Sequence, residues 1–224
     1  RGEVDGAVHS AKDLPTDSPA QLRVGAYLPR ADPRDALVAT AGIGWQDLPR
    51  GGRVGTSSPR RSAQLHALRP DLEVVPMRGN VDTRLRRVAE GTLDACLLAQ
   101  AGLDRLGLRV ESSRLDPVWE CTPAPAQGAV AVQVRAGGTL EEMVTAIDDP
   151  TTRACVEAER LLLRLMGGGC RLALGVLAQP VGPELVRMAV AWAAQSPTEV
   201  RRVNRLAPLA GLEALAQTLA GELR

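Results

Sequence analysis

Lys12 and Asp13 stand side by side where an apolar run, Val4 to His9, gives way to Leu14-Pro15. Proline disfavours helix at the residue before it, so the pair is predicted on a loop after a strand. Open α/β sheets present ligand-binding groups at such a place. A second concentration of chemistry is Val54-Gly55-Thr56-Ser57-Ser58-Pro59-Arg60-Arg61. Ser58 is a good N-cap and Pro59 suits the first helical position, so a helix is predicted from Pro59 to about Leu68. Its first turn offers free backbone N–H groups, the positive end of the helix dipole, three hydroxyls and two guanidiniums. That set suits a carboxylate or phosphate. Arg78 and Arg84 flank the next helix start, and Arg105 follows the next strand. Cations therefore recur after three successive strands, whose loops converge on one crevice in a parallel sheet. An anionic ligand is expected. At the level of these residues alone, a solvated Lys12–Asp13 pair and a solvated Arg60–Arg61 face remain open readings.

The scaffold that must position these groups can be read from the punctuation of the chain. Leu22 to Leu28 is a second strand, and the polar stretch Pro29 to Asp35 is a crossing to Ala36–Ala39. From Arg53 the pattern is βαβα: a strand, the helix from Pro59, a strand at Leu72–Pro76, a helix capped by Asn80 and stopped by Gly91, and a strand at Leu93–Ala99. The alternation predicts a parallel sheet. Pro117, Pro123 and Pro125 mark a second crossing before a strand at Ala129–Val134. An amphipathic helix spans Arg153–Met166, and Gly167-Gly168-Gly169 ends it. Cys170 follows at once, its side chain reachable, whereas Cys96 lies inside an apolar strand and Cys121 and Cys155 have no evident partner. Strands at Leu174–Ala178, Leu185–Ala193 and Glu199–Leu206 and a helix from about Pro208 to Leu223 complete a small α+β unit.

Composition removes several function classes. A formal net charge of +1 over 224 residues, with no Phe and one Tyr, offers neither a basic field nor a stacking platform for nucleic acid. The four cysteines form neither a disulfide framework nor a metal-binding spacing, and the two histidines, His9 and His66, are not arranged as ligands, so no metal is expected and a reducing cytoplasm is. No apolar run is long enough for a membrane span, and the N-terminus lacks the apolar core of a signal peptide. The absence of an initial Met, with a strand so near the start, leads to the expectation of further residues upstream.

Taken in order, His9-Ser10-Ala11-Lys12-Asp13-Leu14-Pro15-Thr16, Gly55 to Arg61, Arg78-Gly79-Asn80, Thr83-Arg84-Leu85, Pro125-Ala126-Gln127-Gly128-Ala129 and Gly168-Gly169-Cys170 resemble the signature of the porphobilinogen deaminase (hydroxymethylbilane synthase) family over essentially the whole chain. The resemblance implies an α/β fold of three domains, two like the lobes of type II periplasmic binding proteins and a small α+β third. The implied boundaries are 1–32 with 129–146, 33–122, and 150–224. It implies a transferase that joins four porphobilinogen molecules head to tail, releasing ammonia, to give the linear tetrapyrrole hydroxymethylbilane of heme biosynthesis. Asp13 would be the catalytic carboxylate. Cys170 would hold a dipyrromethane cofactor by a thioether. Ser10, Lys12, Thr56, Ser58, Arg60, Arg61, Arg78, Gly79, Arg84, Arg105, Gln127 and Gly128 would bind cofactor and substrate, in a cytoplasmic monomer with no nucleic-acid or membrane partner.

The family has upstream residues, including an Arg and a Ser that help bind substrate, which this chain lacks. After Cys170 the chain reads Arg171-Leu172-Ala173-Leu174-Gly175 where the family more often has Gln-Val-Pro-Ile-Gly, and Asp82 stands where Gly is frequent; neither change removes a proposed chemical group. A non-catalytic bilobal anion-binding module would explain the fold and Arg60-Arg61, but not Asp13 beside Lys12 together with a glycine-presented Cys170. An inactive, truncated deaminase is the third reading.

Overall fold

The computed structural model describes residues 4–40, 43–169, 172–194 and 199–224. In chain order the elements are β1 (Gly6–Ser10), a 3-10 turn (Ala11–Asp13), β2 (Leu22–Tyr27), β3 (Asp35–Ala39), β4 (Arg53–Gly55), α1 (Pro59–Leu68), β5 (Glu73–Val75), α2 (Val81–Ala89), β6 (Ala95–Ala99), α3 (Gln100–Arg105), β7 (Ser112–Arg114), β8 (Val130–Arg135), α4 (Thr139–Val144), α5 (Pro150–Leu165), β9 (Leu174–Pro180), β10 (Leu185–Trp192), β11 (Arg201–Pro208) and α6 (Leu212–Leu223). The fold is mixed α/β. The strands form three sheets, ordered β1-β8-β2, β5-β4-β6-β3-β7 and β11-β10-β9.

The βαβα stretch from Arg53 has the parallel pairing expected of it, but the middle sheet as a whole is mixed. Only β4, β5 and β6 run parallel, while β3 is antiparallel to both β6 and β7. Helical crossovers begin only after Val54; β3 enters directly from the chain crossing and reaches β4 without one, so nothing forces it parallel. Burial on both faces explains the unbroken apolar runs of β3 and β6. Leu37, Ala39, Ala95 and Leu97 pack with Leu65 and Leu72, whereas Ala36, Val38, Cys96 and Leu98 pack with Met77, Val88 and Leu103.

The chain leaves the first sheet after β2 and returns to it in β8, so two segments pass side by side. At Gly128 the backbone takes φ +88°, and a Cβ there would sit 2.6 Å from the Ala31 carbonyl oxygen. Glycine is needed on both counts. Helix α5 begins with Asp149 as its cap, Oδ1 accepting from the Thr152 N–H at 2.7 Å, and Pro150 in its first turn. It serves two cores. Val156 packs with Tyr27 and Ala131 of the first sheet, while Cys155, Ala158 and Leu162 pack with Val176, Met188 and Leu219 of the third unit.

The last helix is a correction. β11 keeps its pairing as far as Pro208, opposite Leu185, and a 3-10 turn over Leu209–Gly211 precedes α6, so the helix starts at Leu212 and not near Pro208.

Candidate functional site

The Asp13 turn is built by a short stretch of chain. Strand β1 ends at Ser10, the Ala11 N–H donates to the Ala129 carbonyl at 3.0 Å, and the Leu14 N–H closes the turn on Ala11 O at 3.3 Å. Ala11 and Leu14 point into the core with Tyr27 and Val156, which leaves Asp13 exposed and Lys12 half-buried. Burial, and then the nearby Arg61 guanidinium, push the Lys12 ammonium below its ordinary value against the pull of Asp13 and Asp35.

Ser58 caps α1 as expected, its side chain accepting from the Arg61 N–H at 3.5 Å, with Pro59 in the first turn. The other two hydroxyls of this loop serve the loop itself. Thr56 Oγ1 accepts from the Ser58 N–H at 3.2 Å, and Ser57 Oγ donates to Met77 O and accepts from Met77 N, both at 2.8 Å. Only Ser57 spends its O–H donor within the loop; Thr56 and Ser58 accept in these bonds and keep their O–H donors.

Arg60 and Arg61 are not a solvated face. Both are buried, and both bind Asp35, at the end of the polar Pro29–Asp35 crossing. Arg60 Nη1 donates to Asp35 Oδ2 at 2.6 Å and to Thr122 O at 2.7 Å. Arg61 donates to Asp35 Oδ1 from Nε at 3.1 Å and from Nη2 at 2.6 Å, and to Leu97 O at 2.9 Å. The Gln127 side-chain amide adds a bond to Asp35 Oδ1 at 2.9 Å, and the Cys121 thiol donates to Oδ2 at 3.3 Å. Burial alone raises a carboxyl, but Arg60 and Arg61 outweigh it and hold Asp35 far below the usual carboxylate range. Two guanidiniums against one carboxylate leave one net positive charge. Arg60 makes its side-chain bonds through Nη1, so its Nε and Nη2 have no protein partner among the described residues.

These elements enclose a cleft of about 520 Å³. Lys12, Asp13, Ser58, Arg60, Arg61 and Gln127 line it, bringing six of the residues singled out in the sequence into one place. Cys170 lies outside the described residues. The described residues on either side of it, Gly169 and Leu172, both line this cleft, and Gly168, at φ +63°, passes Thr16 of the Asp13 loop.

The remaining expected groups lie outside that lining. Ser10 is half-buried at the end of β1 and Thr56 is buried in the capping loop. Arg78 is exposed before α2, and Arg84 Nε donates to Gly79 O at 2.9 Å. Arg105 Nη2 donates to Gly128 O at 2.7 Å, so it braces the returning crossing. Among the described residues no cluster of side chains could hold a metal ion.

Besides Asp35, sequence reasoning missed Arg30 and Glu159. Glu159 is completely buried in α5 and accepts from Arg30 Nη1 at 2.6 Å, from Ala126 N at 2.6 Å and from Ala178 N at 2.7 Å. One carboxylate thus joins the outgoing crossing, the returning crossing and the third sheet. The available signal was a Glu on the apolar side of an amphipathic helix.

The sequence compares closely with known proteins. Residues 1–142 match the family model described as porphobilinogen deaminase, dipyromethane cofactor binding domain. The porphobilinogen deaminase of Roseiflexus castenholzii is 50% identical over 186 residues, covering 83% of this chain and 61% of that one. That of Desulforudis audaxviator is 46% identical over 222 residues, covering 99% and 72%, and that of Mycobacterium leprae is 53% identical over 182 residues, covering 80% and 58%. The chain spans between 58% and 72% of the length of these relatives. With the family model matched over more than half of the chain, and one relative aligned along nearly all of it, the chain belongs to the porphobilinogen deaminase family.

Proposed function

We propose that the protein works as a porphobilinogen deaminase, a transferase that links four porphobilinogen molecules head to tail with loss of ammonia to give hydroxymethylbilane. One observation carries the reading: exposed Asp13 shares a cleft with the Arg60–Arg61 pair and with the residues flanking Cys170. A solute-binding lobe accounts for the arginines and, with a zwitterionic solute, for a carboxylate, but not for the neighbours of Cys170, Gly169 and Leu172, in the same cleft.

The cleft suits a dipyrromethane held on Cys170. It is cationic by the balance of Arg60, Arg61 and Asp35, has room for a small carboxylate-bearing molecule, and includes Arg60, whose Nε and Nη2 have no partner among the described residues. When bound, that group supplies the first acceptor carbon of the growing chain. Arg60, Arg61 and Lys12 would bind acetate and propionate arms, with Gln127 fixing the arginine pair through Asp35. Asp13 would accept hydrogen bonds from pyrrole N–H groups, stabilise the positive charge that develops on the ring as the aminomethyl nitrogen leaves as ammonia, and take up the proton displaced when the new carbon–carbon bond forms. Arg78, Arg84 and Arg105, with Ser10, Thr56, Gly79 and Gly128, extend the same role along the longer product.

The three sheets support an assignment of residues 1–32 with 129–146, 33–122 and 150–224 to three domains. Cys96, Cys121 and Cys155 are buried free thiols, which supports a reducing, cytoplasmic setting. No described helix is long and apolar enough to cross a membrane. A monomer follows from the family resemblance.

The test is turnover and intact mass of the full-length protein. Asp13→Asn should keep a two-pyrrole adduct on Cys170 yet lower ammonia release by about 10²–10⁴-fold. Unchanged turnover removes Asp13 from the chemistry, and an adduct mapped to Cys96, Cys121 or Cys155 removes Cys170.

A further inference from the structure

Arg160, on α5, has no carboxylate within ion-pair distance among the described residues, unlike Arg153 two turns earlier on the same face, which pairs with Asp148 and Glu157. Its guanidinium is directed instead at the backbone of the Asp13 turn. Nη1 donates to Ala11 O at 3.3 Å and Leu14 O at 3.2 Å, and Nη2 to Pro15 O at 2.5 Å. These carbonyls bracket Asp13 on both sides. Besides Arg160, the turn is held at its ends by the Ala11 N–H bond to Ala129 O and by the buried Ala11 and Leu14 side chains, and it has one internal bond, Leu14 N to Ala11 O, and no side-chain cap. Arg160 does not line the cleft that Asp13 faces; it opens onto a separate groove of about 770 Å³ between the first sheet and the third unit.

The adjacent residue explains why this matters. Glu159 fastens the same turn of α5 to both crossings and to β9, and α5 runs on through Leu165 and three glycines to Cys170. We propose that Arg160 is a positioning residue that transfers the fixed placement of α5 to the Asp13 turn, so that the catalytic carboxylate and the cofactor-bearing loop are registered on one helix. This rests on the proposed catalytic role of Asp13. A guanidinium fork suits the task because its planar donors can serve three carbonyls at once, which an ammonium on a flexible stem does less well.

The experiment compares full-length wild type with Arg160→Met and Arg160→Lys by hydrogen exchange of the peptide covering residues 11–16, by intact mass, and by steady-state kinetics. In Arg160→Met the turn should exchange about 10-fold faster or more, with α5 itself unchanged. Its kcat should fall roughly 10- to 100-fold at nearly constant KM, with the Cys170 adduct retained. Arg160→Lys should be intermediate in both exchange and kcat. Unchanged exchange at residues 11–16, or unchanged kcat despite faster exchange, overturns the proposal. So does an Arg160→Lys protein equal to wild type in both. If the wild type releases no ammonia from porphobilinogen, the functional reading fails, while the exchange data still decide whether Arg160 holds the turn.

Discussion

Arg30 and Glu159 form a bidentate ion pair, Nη1 to Oε1 at 2.6 Å and Nη2 to Oε2 at 3.1 Å, joining the outgoing chain crossing to α5. Removing one partner of such a pair leaves an uncompensated buried charge. Arg30→Met should therefore destabilise by about 3–5 kcal/mol, read as a lower urea midpoint at neutral pH. Glu159→Gln, which leaves the arginine near the surface side of the pair, should cost less. Equal midpoints for wild type and Arg30→Met would contradict the account.

Asp35 predicts a pH dependence. Its folded carboxyl titrates below the unfolded value of about 4, so the stability it contributes is fully present above that pH and is lost as pH falls toward the depressed folded value. At neutral pH, Asp35→Asn should be destabilised by about 3 kcal/mol or more, since Arg60 and Arg61 are left buried together. The gap from wild type should narrow as pH drops below ~4. Denaturation midpoints that fall in parallel for the two proteins would show that Asp35 is not the group responsible.

The described cysteines should be unreactive in the folded protein. Burial pushes the Cys96 thiol up to about 11, and Cys121 and Cys155 to about 12, with Asp35 and Glu159 adding to the effect at the last two. Because the thiolate is the nucleophile, iodoacetamide at neutral pH should label these positions only after denaturation. Rapid native labelling of Cys121 would mean that the Asp35 cluster opens.

Gly128→Ala should lower Tm by several degrees. The substitution forces a side chain into positive φ, a cost of about 1–3 kcal/mol, and drives its Cβ into the Ala31 carbonyl of the opposing crossing. A Gly128→Ala protein as stable as wild type would show that the two crossings can separate freely.

Local chemistry was legible in the sequence by itself. The Ser58 cap and Pro59 start of α1, the Asn80 cap of α2, the turn after β1 that exposes Asp13, the two crossings and the glycine-ended α5 all rest on short-range backbone preferences that neighbouring residues dictate. Family motifs, read in order, pointed to the porphobilinogen deaminase family. What only the tertiary structure decided is which charges meet. Asp35 lies 25 positions before Arg60, Arg30 lies 129 before Glu159, and Arg160 reaches a turn about as far away in the chain. No periodicity encodes such pairings, because they depend on where the crossings bring the sheets together. The direction of β3 was hidden for the same reason: a strand's apolar pattern reports burial on its two faces but not the sense in which its neighbour runs.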